Sequence, residues 1–415
     1  MPTAPVSRAR MAALLAALAM FGPFAIDTMF PAFPAMAADL AVSELAIQQT
    51  LSVYLLAYAA TALFHGPWSD AWGRRRVILA GTAVFTLASI GCALAPTLEW
   101  LLVFRAVQGI SAGVGLIVGR AIIRDLYAGP EAQRLMSLVA MIFGVAPALA
   151  PVIGGWVQTL ADWHAVFWFL AAFAASLWLA CFLALPETLP PQRRSRLSLR
   201  PLWRVYRTMV LDTGFRRLAL SASFNFAALF LFIASAPTFV LRHLGLGPLD
   251  FGWFFGIMIA GMMLGALVSG RLAGRVSLER CVGMAYVLML LAGIASVAYA
   301  ISDLPFVIPW AVLPISLLAF GIAIAFPAIT LMLLDRYPDH LGGASSMQAF
   351  LSLVCNAVVA GLIAPWLMAD RRWLALGALT LTVIGYLFWQ LRPRTEGTPM
   401  PAEPATLPLP NEGQQ

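Results

Sequence analysis

Apolar residues run along this chain in stretches of about twenty, each ended by a short cluster of charge, proline or glycine. Twelve such runs fall at roughly 11–37, 46–66, 77–95, 99–120, 135–158, 163–185, 215–240, 250–270, 281–300, 305–334, 342–368 and 372–391, and each is long enough to cross a bilayer as a helix. Between about Pro186 and Gly214 the pattern stops, and an Arg-rich, Pro-bearing stretch divides the runs into two sets of six. The pattern predicts an all-α integral membrane protein. An N-terminal six-helix bundle spans 1–186, a linker 187–214, a C-terminal six-helix bundle 215–392, and a Pro-rich polar tail that reads as disordered 393–415.

Composition removes the soluble alternative: 61% of the residues are apolar, 11% are charged, and the mean hydropathy is +0.86. All 26 basic residues are arginine, so each reports on orientation. With the N-terminus inside, about 22 of them fall in cytoplasmic tails and loops. Arg242, Arg371 and Arg372 fall outside, and Arg105 lies within a span. Both termini are therefore expected in the cytoplasm, and the formal charge of +7 reads as topology, with no nucleic-acid module around it. The first run continues past Asp27, too long for a removed signal peptide. The four Cys and four His show no disulfide or metal spacing, and no phosphate-binding Gly-rich loop ends in Lys. An enzyme or a nucleotide-driven pump finds no support, and no cofactor is expected.

The polar interruptions differ in specificity. Gly66-Pro-Trp-Ser-Asp-Ala-Trp-Gly-Arg-Arg-Arg76 is a short charged hairpin between the second and third runs. Gly66 and Gly73 suit a tight reversal, Asp70 ends one helix, and Arg74, Arg75 and Arg76 open the next. Such a cationic run is by itself a topology anchor. Gly270-Arg-Leu-Ala-Gly-Arg275 echoes it after the second span of the other half, with Gly274 about where Asp70 would stand.

Of the 19 acidic residues, Asp27 alone sits deep in a predicted span. A carboxylate in hydrocarbon is costly and faces a cavity or a partner; desolvation favours its protonated form, so it can take a proton from one side and give it to the other. Pro23, Asp27 and Pro31 repeat every four residues and share one helix face. Pro31 lacks the N–H that would bond the Asp27 carbonyl, and Pro34 does the same to Phe30. Interrupted helices of this kind line cavities in membranes. Hydration at the outer interface is the plain alternative for Asp27. Arg105 is the second intramembrane charge, a fixed countercharge or donor, with snorkelling to the interface as its alternative. On helix 5, Gly144, Pro147, Pro151, Gly154 and Gly155 form a kinked strip with little side-chain bulk, suited at least to tight packing.

These motifs carry a resemblance. Gly-x-x-x-Asp-x-x-Gly-Arg-Arg is similar to the loop between helices 2 and 3 of the major facilitator superfamily of secondary transporters, with Ala71 departing from the commoner basic residue. The segment from Arg105 to Gly115 resembles that superfamily's helix 4 motif, whose Arg assists proton transfer. The helix 5 strip resembles the motif typical of its antiporters. Ile26-Asp-Thr-Met-Phe-Pro-Ala-Phe-Pro34, Ser235-Ala-Pro-Thr-Phe-Val240 and Gly343-Ala-Ser-Ser346 resemble the Bcr/CflA drug-resistance transporters, with Met29 where many relatives have Tyr. The resemblance implies a proton-driven antiporter of the bacterial inner membrane, exporting small drug-like molecules by alternating access, without cofactor and as a monomer. Phe24, Phe30, Gln48, Tyr54, Tyr58 and Asn225 are candidates to line its cavity; each of the aromatics could equally face lipid or a neighbouring helix. A metabolite transporter on the same fold is the nearest alternative, and a polytopic membrane enzyme or sensor the more distant one.

Overall fold

The computed structural model describes residues 8–127, 129–194 and 199–393, and these contain helices and no strands. The tail from 394 onward and linker residues 195–198 lie outside the described residues. Among the described residues, eleven helices are long and apolar enough to cross a membrane. Helix 1 covers Ala9–Asp39, helix 2 Glu44–Trp72, helix 3 Arg74–Ala93, helix 4 Leu98–Leu126 and helix 6 Trp163–Ala184. Helix 7 is Thr213–Ala234, helix 8 Phe251–Leu272, helix 9 Leu278–Ile301, helix 10 Leu313–Leu334, helix 11 Leu341–Leu367 and helix 12 Arg371–Gln390. Helix 5, Gly129–Leu160, is the twelfth long element; its apolar part, Gly144–Leu160, is shorter than the other spans.

The same packing appears twice. Helices 1 and 5, 2 and 4, 3 and 6, and 3 and 4 pair in the first half; helices 7 and 11, 8 and 10, 9 and 12, and 9 and 10 pair in the second. Each second-half pair is its first-half counterpart shifted by six spans, as parallel repeats require. The halves join through helix 2 on helix 11 and helix 5 on helix 8, which are again related by that shift. Small residues permit the closest approaches. A Cβ on Gly109 would overlap the Tyr54 carbonyl, and Cβ atoms on Gly261 and Gly265 would overlap the Ser316 and Phe320 carbonyls. The close approach of helices 2 and 4 is thus repeated by helices 8 and 10.

Three expectations change. The hairpin after helix 2 is a single residue: the helix runs through Pro67 to Trp72, Gly73 turns at φ 99°, and Arg74 starts helix 3. Gly66 therefore lies within a helix, and a Cβ there would meet nothing. In the echo, Gly274 also has positive φ, 73°, so it matches Gly73, and the counterpart of Asp70 three residues back is Arg271. Finally, the linker contains a helix, Leu199–Leu211. Its Tyr206 and Met209 are buried, with Leu202 and Val205 beside them, while Trp203, Arg204 and Arg207 are exposed. The Tyr206 hydroxyl donates to the Leu63 carbonyl of helix 2 at 2.9 Å.

The linker ends at Asp212, which caps helix 7 by accepting from the Gly214 N–H at 2.8 Å. Arg336, after helix 10, donates two hydrogen bonds of 3.2 Å to the same carboxylate, and the Tyr337 hydroxyl adds a third at 3.2 Å. Burial works to raise the Asp212 pKa, but these donors outweigh it and hold the group below its usual value. A carboxylate with a depressed pKa contributes stability at neutral pH that is lost as pH falls through the folded value. Asp212→Asn is expected to cost about 1–2 kcal/mol at pH 7. Thermal unfolding in detergent should show a midpoint several degrees lower, with the gap to wild type closing as pH falls below about 4.

Candidate functional site

Helix 1 stops where its prolines require. The regular part is Arg8–Asp27, a short turn follows over Phe30–Ala32, and helix resumes at Phe33–Asp39. Pro31 thus sits in a separate turn, and the face expected to be shared by Pro23, Asp27 and Pro31 ends at Asp27. Breaking a helix leaves its last carbonyls unpaired. The Phe24 carbonyl still accepts the Thr28 N–H at 3.3 Å and takes its hydroxyl as well at 2.6 Å, and Arg105 of helix 4 donates from Nη1 to the Ala25 carbonyl at 3.0 Å.

Arg105 is completely buried and reaches all of its neighbours. Nε donates to the Thr50 carbonyl of helix 2 at 3.3 Å, and Nη1 also donates to Gln108 Oε1 at 2.7 Å. Gln108 passes the chain on to Ser89 Oγ of helix 3 at 2.7 Å. The guanidinium lies 4.4 Å from the centre of the Tyr54 ring, a cation–π arrangement. One guanidinium therefore ties helices 1, 2, 3 and 4 together, with Nη2 left buried and unpartnered. Snorkelling is excluded by this burial. Asp27, 4% exposed, has neither a hydrogen bond nor an ion pair among the described residues. Tyr54 lies within electrostatic reach of both groups. The site thus holds a spare carboxylate and a spare guanidinium N–H donor, not joined to one another.

The remaining cavity candidates are dispersed. Tyr58 meets Tyr54 edge-on at 6.4 Å. Phe24 turns to helix 6, stacking on Phe173 at 5.2 Å. Phe30 stacks on Phe255 of helix 8 at 6.3 Å and 9°. Gln48 Nε2 donates to the Ala234 carbonyl at the end of helix 7, 3.1 Å away. Asn225 is buried beside Tyr286 and Gly385, between helices 7, 9 and 12.

Gln48 belongs to a seam that residue types and spacing do not reveal. Next to it, Gln49 Nε2 donates to the Gly361 carbonyl of helix 11 at 3.1 Å, and Glu44 pairs with Arg242 at 2.8 Å. These three polar side-chain contacts bridge the halves, and all lie at the end of the bundle opposite Arg74. A Cβ on Gly361 would press on the Ser52 side chain. The helix 5 strip reaches the same seam: a Cβ on Gly154 would overlap the Thr28 carbonyl at the break in helix 1, and one on Gly155 the Pro248 carbonyl before helix 8. Helix 5 stays helical through Pro147 and Pro151, while Gly144 faces open space.

At the other end, Arg74 is buried in a knot within the first half. It donates to Asp70 and Ser69 at 2.5 Å each and to Asp125 at 3.0 Å, and Glu187 accepts its backbone N–H at 2.9 Å. A Cβ on Gly73 would overlap the Glu187 carboxylate. Arg75 donates to the Phe182 carbonyl at 2.7 Å. Glu187 was not legible as a partner because it lies 113 positions from Arg74.

Residues 13–365 match the sequence profile of the Major Facilitator Superfamily. The chain is 31% identical over 356 residues to Multidrug resistance protein D of Escherichia coli, covering 85% of this chain and 87% of that one. It is 27% identical over 384 residues to a bicyclomycin resistance protein homolog of Haemophilus influenzae, covering 90% and 94%. Among solved structures, a D-xylose–proton symporter superposes with a TM-score of 0.72 at 14% identity over 92% of this chain and 97% of that one, a likeness of fold alone.

The helix 5 strip supplies a paired test. Gly154→Ala forces a methyl into a backbone carbonyl and is expected to cost about 1–3 kcal/mol in detergent stability. Gly144→Ala adds the same methyl in open space and should leave the unfolding midpoint at or slightly above wild type. Equal behaviour of the two variants would show that helix 1 gives way without cost.

Proposed function

The chain belongs to the major facilitator superfamily, and we propose that it is a proton-coupled antiporter exporting amphipathic drug-like molecules across a bacterial inner membrane. Both termini and the arginine-rich end face the cytoplasm on this reading, and the division into bundles at 1–186 and 215–392 follows the break between helices 6 and 7. The observation that carries it is the buried, unpartnered Asp27 at the broken end of helix 1, two residues on from the Ala25 carbonyl that Arg105 holds. The names of the two bacterial relatives point to drugs as cargo, as do the Bcr/CflA-like motifs.

Coupling follows from the two spare groups. Protonated Asp27 needs no countercharge, and Arg105 stays on the Ala25 carbonyl. Once deprotonated, Asp27 offers Arg105 a charge-assisted partner stronger than a carbonyl, and the exchange pulls on helices 1, 2 and 4 together. An entering proton releases roughly 2.3 kcal/mol per 100 mV, with about 1.4 kcal/mol more per unit of pH difference. One proton could expel a neutral compound against roughly a hundredfold gradient. Tyr54, under the Arg105 guanidinium, and Tyr58, one turn further along helix 2, are the aromatics best placed to meet cargo.

On this reading the seam at Gln48, Gln49 and Glu44 joins the halves on the outer side, and the opposite state requires it to part. In that state Asp70 would serve as a latch: the Arg74 knot takes nothing from the second half here, with Asp70 half-exposed and able to meet the positive N-terminal end of a second-half helix.

Asp27→Asn should abolish proton-driven efflux in vesicles while the protein inserts normally, and drug-induced proton release in detergent should vanish; full efflux at several pH values would refute the assignment. Arg105→Ala should uncouple transport while retaining part of drug binding. For Asp70→Asn, spin labels at the cytoplasmic ends of helices 4 and 10 should report a longer average separation, from a bias of about 1–3 kcal/mol toward the inward-facing state. A wild-type distance distribution with collapsed transport would remove the latch.

A further inference from the structure

A groove of about 420 Å³ runs down the outer flank of the first half between helices 2, 3 and 4, away from Asp27 and from the seam. Its size falls within the range of small-molecule sites. We propose that it holds one acyl chain of an anionic phospholipid whose phosphate rests on Arg76.

The groove is graded from end to end. Arg76 stands in the first turn of helix 3, exposed and without a partner among the described residues. Val77, Ala80, Gly81 and Val84 continue the same wall, extending it to about 12 Å below the guanidinium at 1.5 Å per residue. Across from them, Trp68 and Trp72 of helix 2 lie parallel, with ring centroids 6.2 Å apart and planes 4° apart. Trp72, at the level of Arg76, is 55% exposed, as suits an indole at a headgroup boundary. Two further polar side chains of the lining bond main-chain carbonyls. His65 Nε2 is bonded to the Ile110 carbonyl at 3.0 Å, with Nδ1 left buried and unpartnered, and the Ser111 hydroxyl donates to the Gln108 carbonyl at 3.0 Å. That leaves one free cation at the mouth and a trough below it that is apolar apart from the indole N–H groups and His65 Nδ1. This arrangement fits an anionic head followed by a single hydrocarbon tail.

Arg76 differs from its neighbours in this respect. Arg74 is consumed by Asp70, Ser69 and Asp125, and Arg75 by the Phe182 carbonyl and ring. Val84 and Ile110, on opposite sides of the groove, are exposed large apolar residues, so the trough opens toward the surroundings of the bundle. A chain lying in the surrounding leaflet can enter it sideways, whereas cargo bound at Asp27 is separated from it by helices 2 and 4.

The test uses the purified full chain in mild detergent, titrated with phosphatidylglycerol and, separately, phosphatidylcholine, and read by native mass spectrometry. Wild type should retain one phosphatidylglycerol in preference to phosphatidylcholine. Arg76→Gln should lose that preference, by about fivefold for one basic group near a headgroup. Arg76→Lys should keep it. Ala80→Phe fills the trough from an exposed position and should weaken both lipids, with an unchanged unfolding midpoint showing that the fold is intact. Equal retention of phosphatidylglycerol by wild type, Arg76→Gln and Ala80→Phe would overturn the proposal. So would displacement of the bound lipid by chloramphenicol in wild type but not in Ala80→Phe, which would make the groove a drug vestibule.

Discussion

Arg105 carries a permanent charge into the dry centre of the first half, and the helices around it are arranged to answer it. A guanidinium cannot discharge itself by losing a proton, so it must be met by acceptors wherever it goes. Here those acceptors are main-chain carbonyls of helices 1 and 2 and the Gln108 amide, with the Tyr54 ring beneath. One of the carbonyls is available only because Pro31 ends helix 1 at Asp27. The break, the buried arginine and the isolated carboxylate are therefore a single arrangement. Restoring a continuous helix 1 would withdraw the Ala25 carbonyl from Arg105.

Much of this was legible in residue types and spacing. The apolar runs set the helices, and the missing N–H groups of Pro31 and Pro34 marked helix 1 as interrupted near Asp27, although Pro31 was expected to share its helix face. Which way a side chain turns was less legible. Phe24 and Phe30 looked alike on a kinked helix, yet one packs on helix 6 and the other on helix 8. The reason is that helix 1 changes direction between them. The Arg74 knot depended on Asp125 and Glu187, whose nearness is a product of folding. The linker helix did carry a signal: Leu202, Val205, Tyr206 and Met209 follow a helical period. Arginines at every third or fourth position between them masked it. In the echo after helix 8, matching by residue type misplaced Gly274, whereas matching by backbone conformation aligns it with Gly73.

The contacts within each half and those between halves differ in balance: close glycine–carbonyl packing predominates inside a half and occurs across the seam at Gly155, against the Pro248 carbonyl. Inside a half, glycines bring backbones to within touching distance of carbonyls, as at Gly109, Gly154 and Gly261, and such packing does not yield without an energetic cost. Between halves, Gln48 and Gln49 donate to carbonyls where helices 7 and 11 are irregular. Amide–carbonyl bonds of this sort contribute about 1 kcal/mol net apiece, because water replaces them readily. An alternating-access cycle needs that division: rigid bodies joined by contacts that water can exchange.

The two ends of the molecule are unequal in the same sense. The seam is built from neutral amides, one exposed ion pair and stacked Phe rings, whereas the arginine-rich end concentrates charge in the Arg74 knot. A charged knot keeps its partners in low dielectric and loses little to solvent when the halves part, because every member belongs to the first half or to the first residue of the linker. Asp70 is the exception, with its carboxylate half in water. Its repeat counterpart, Arg271, has the opposite sign, so the second half cannot build the same knot. On the proposed reading, an asymmetry of one charge is enough to make closure at this end depend on a carboxylate from the first half, while closure at the other end depends on amides. The proton at Asp27 would then choose between two gates of different chemistry, and neither gate would itself need to titrate.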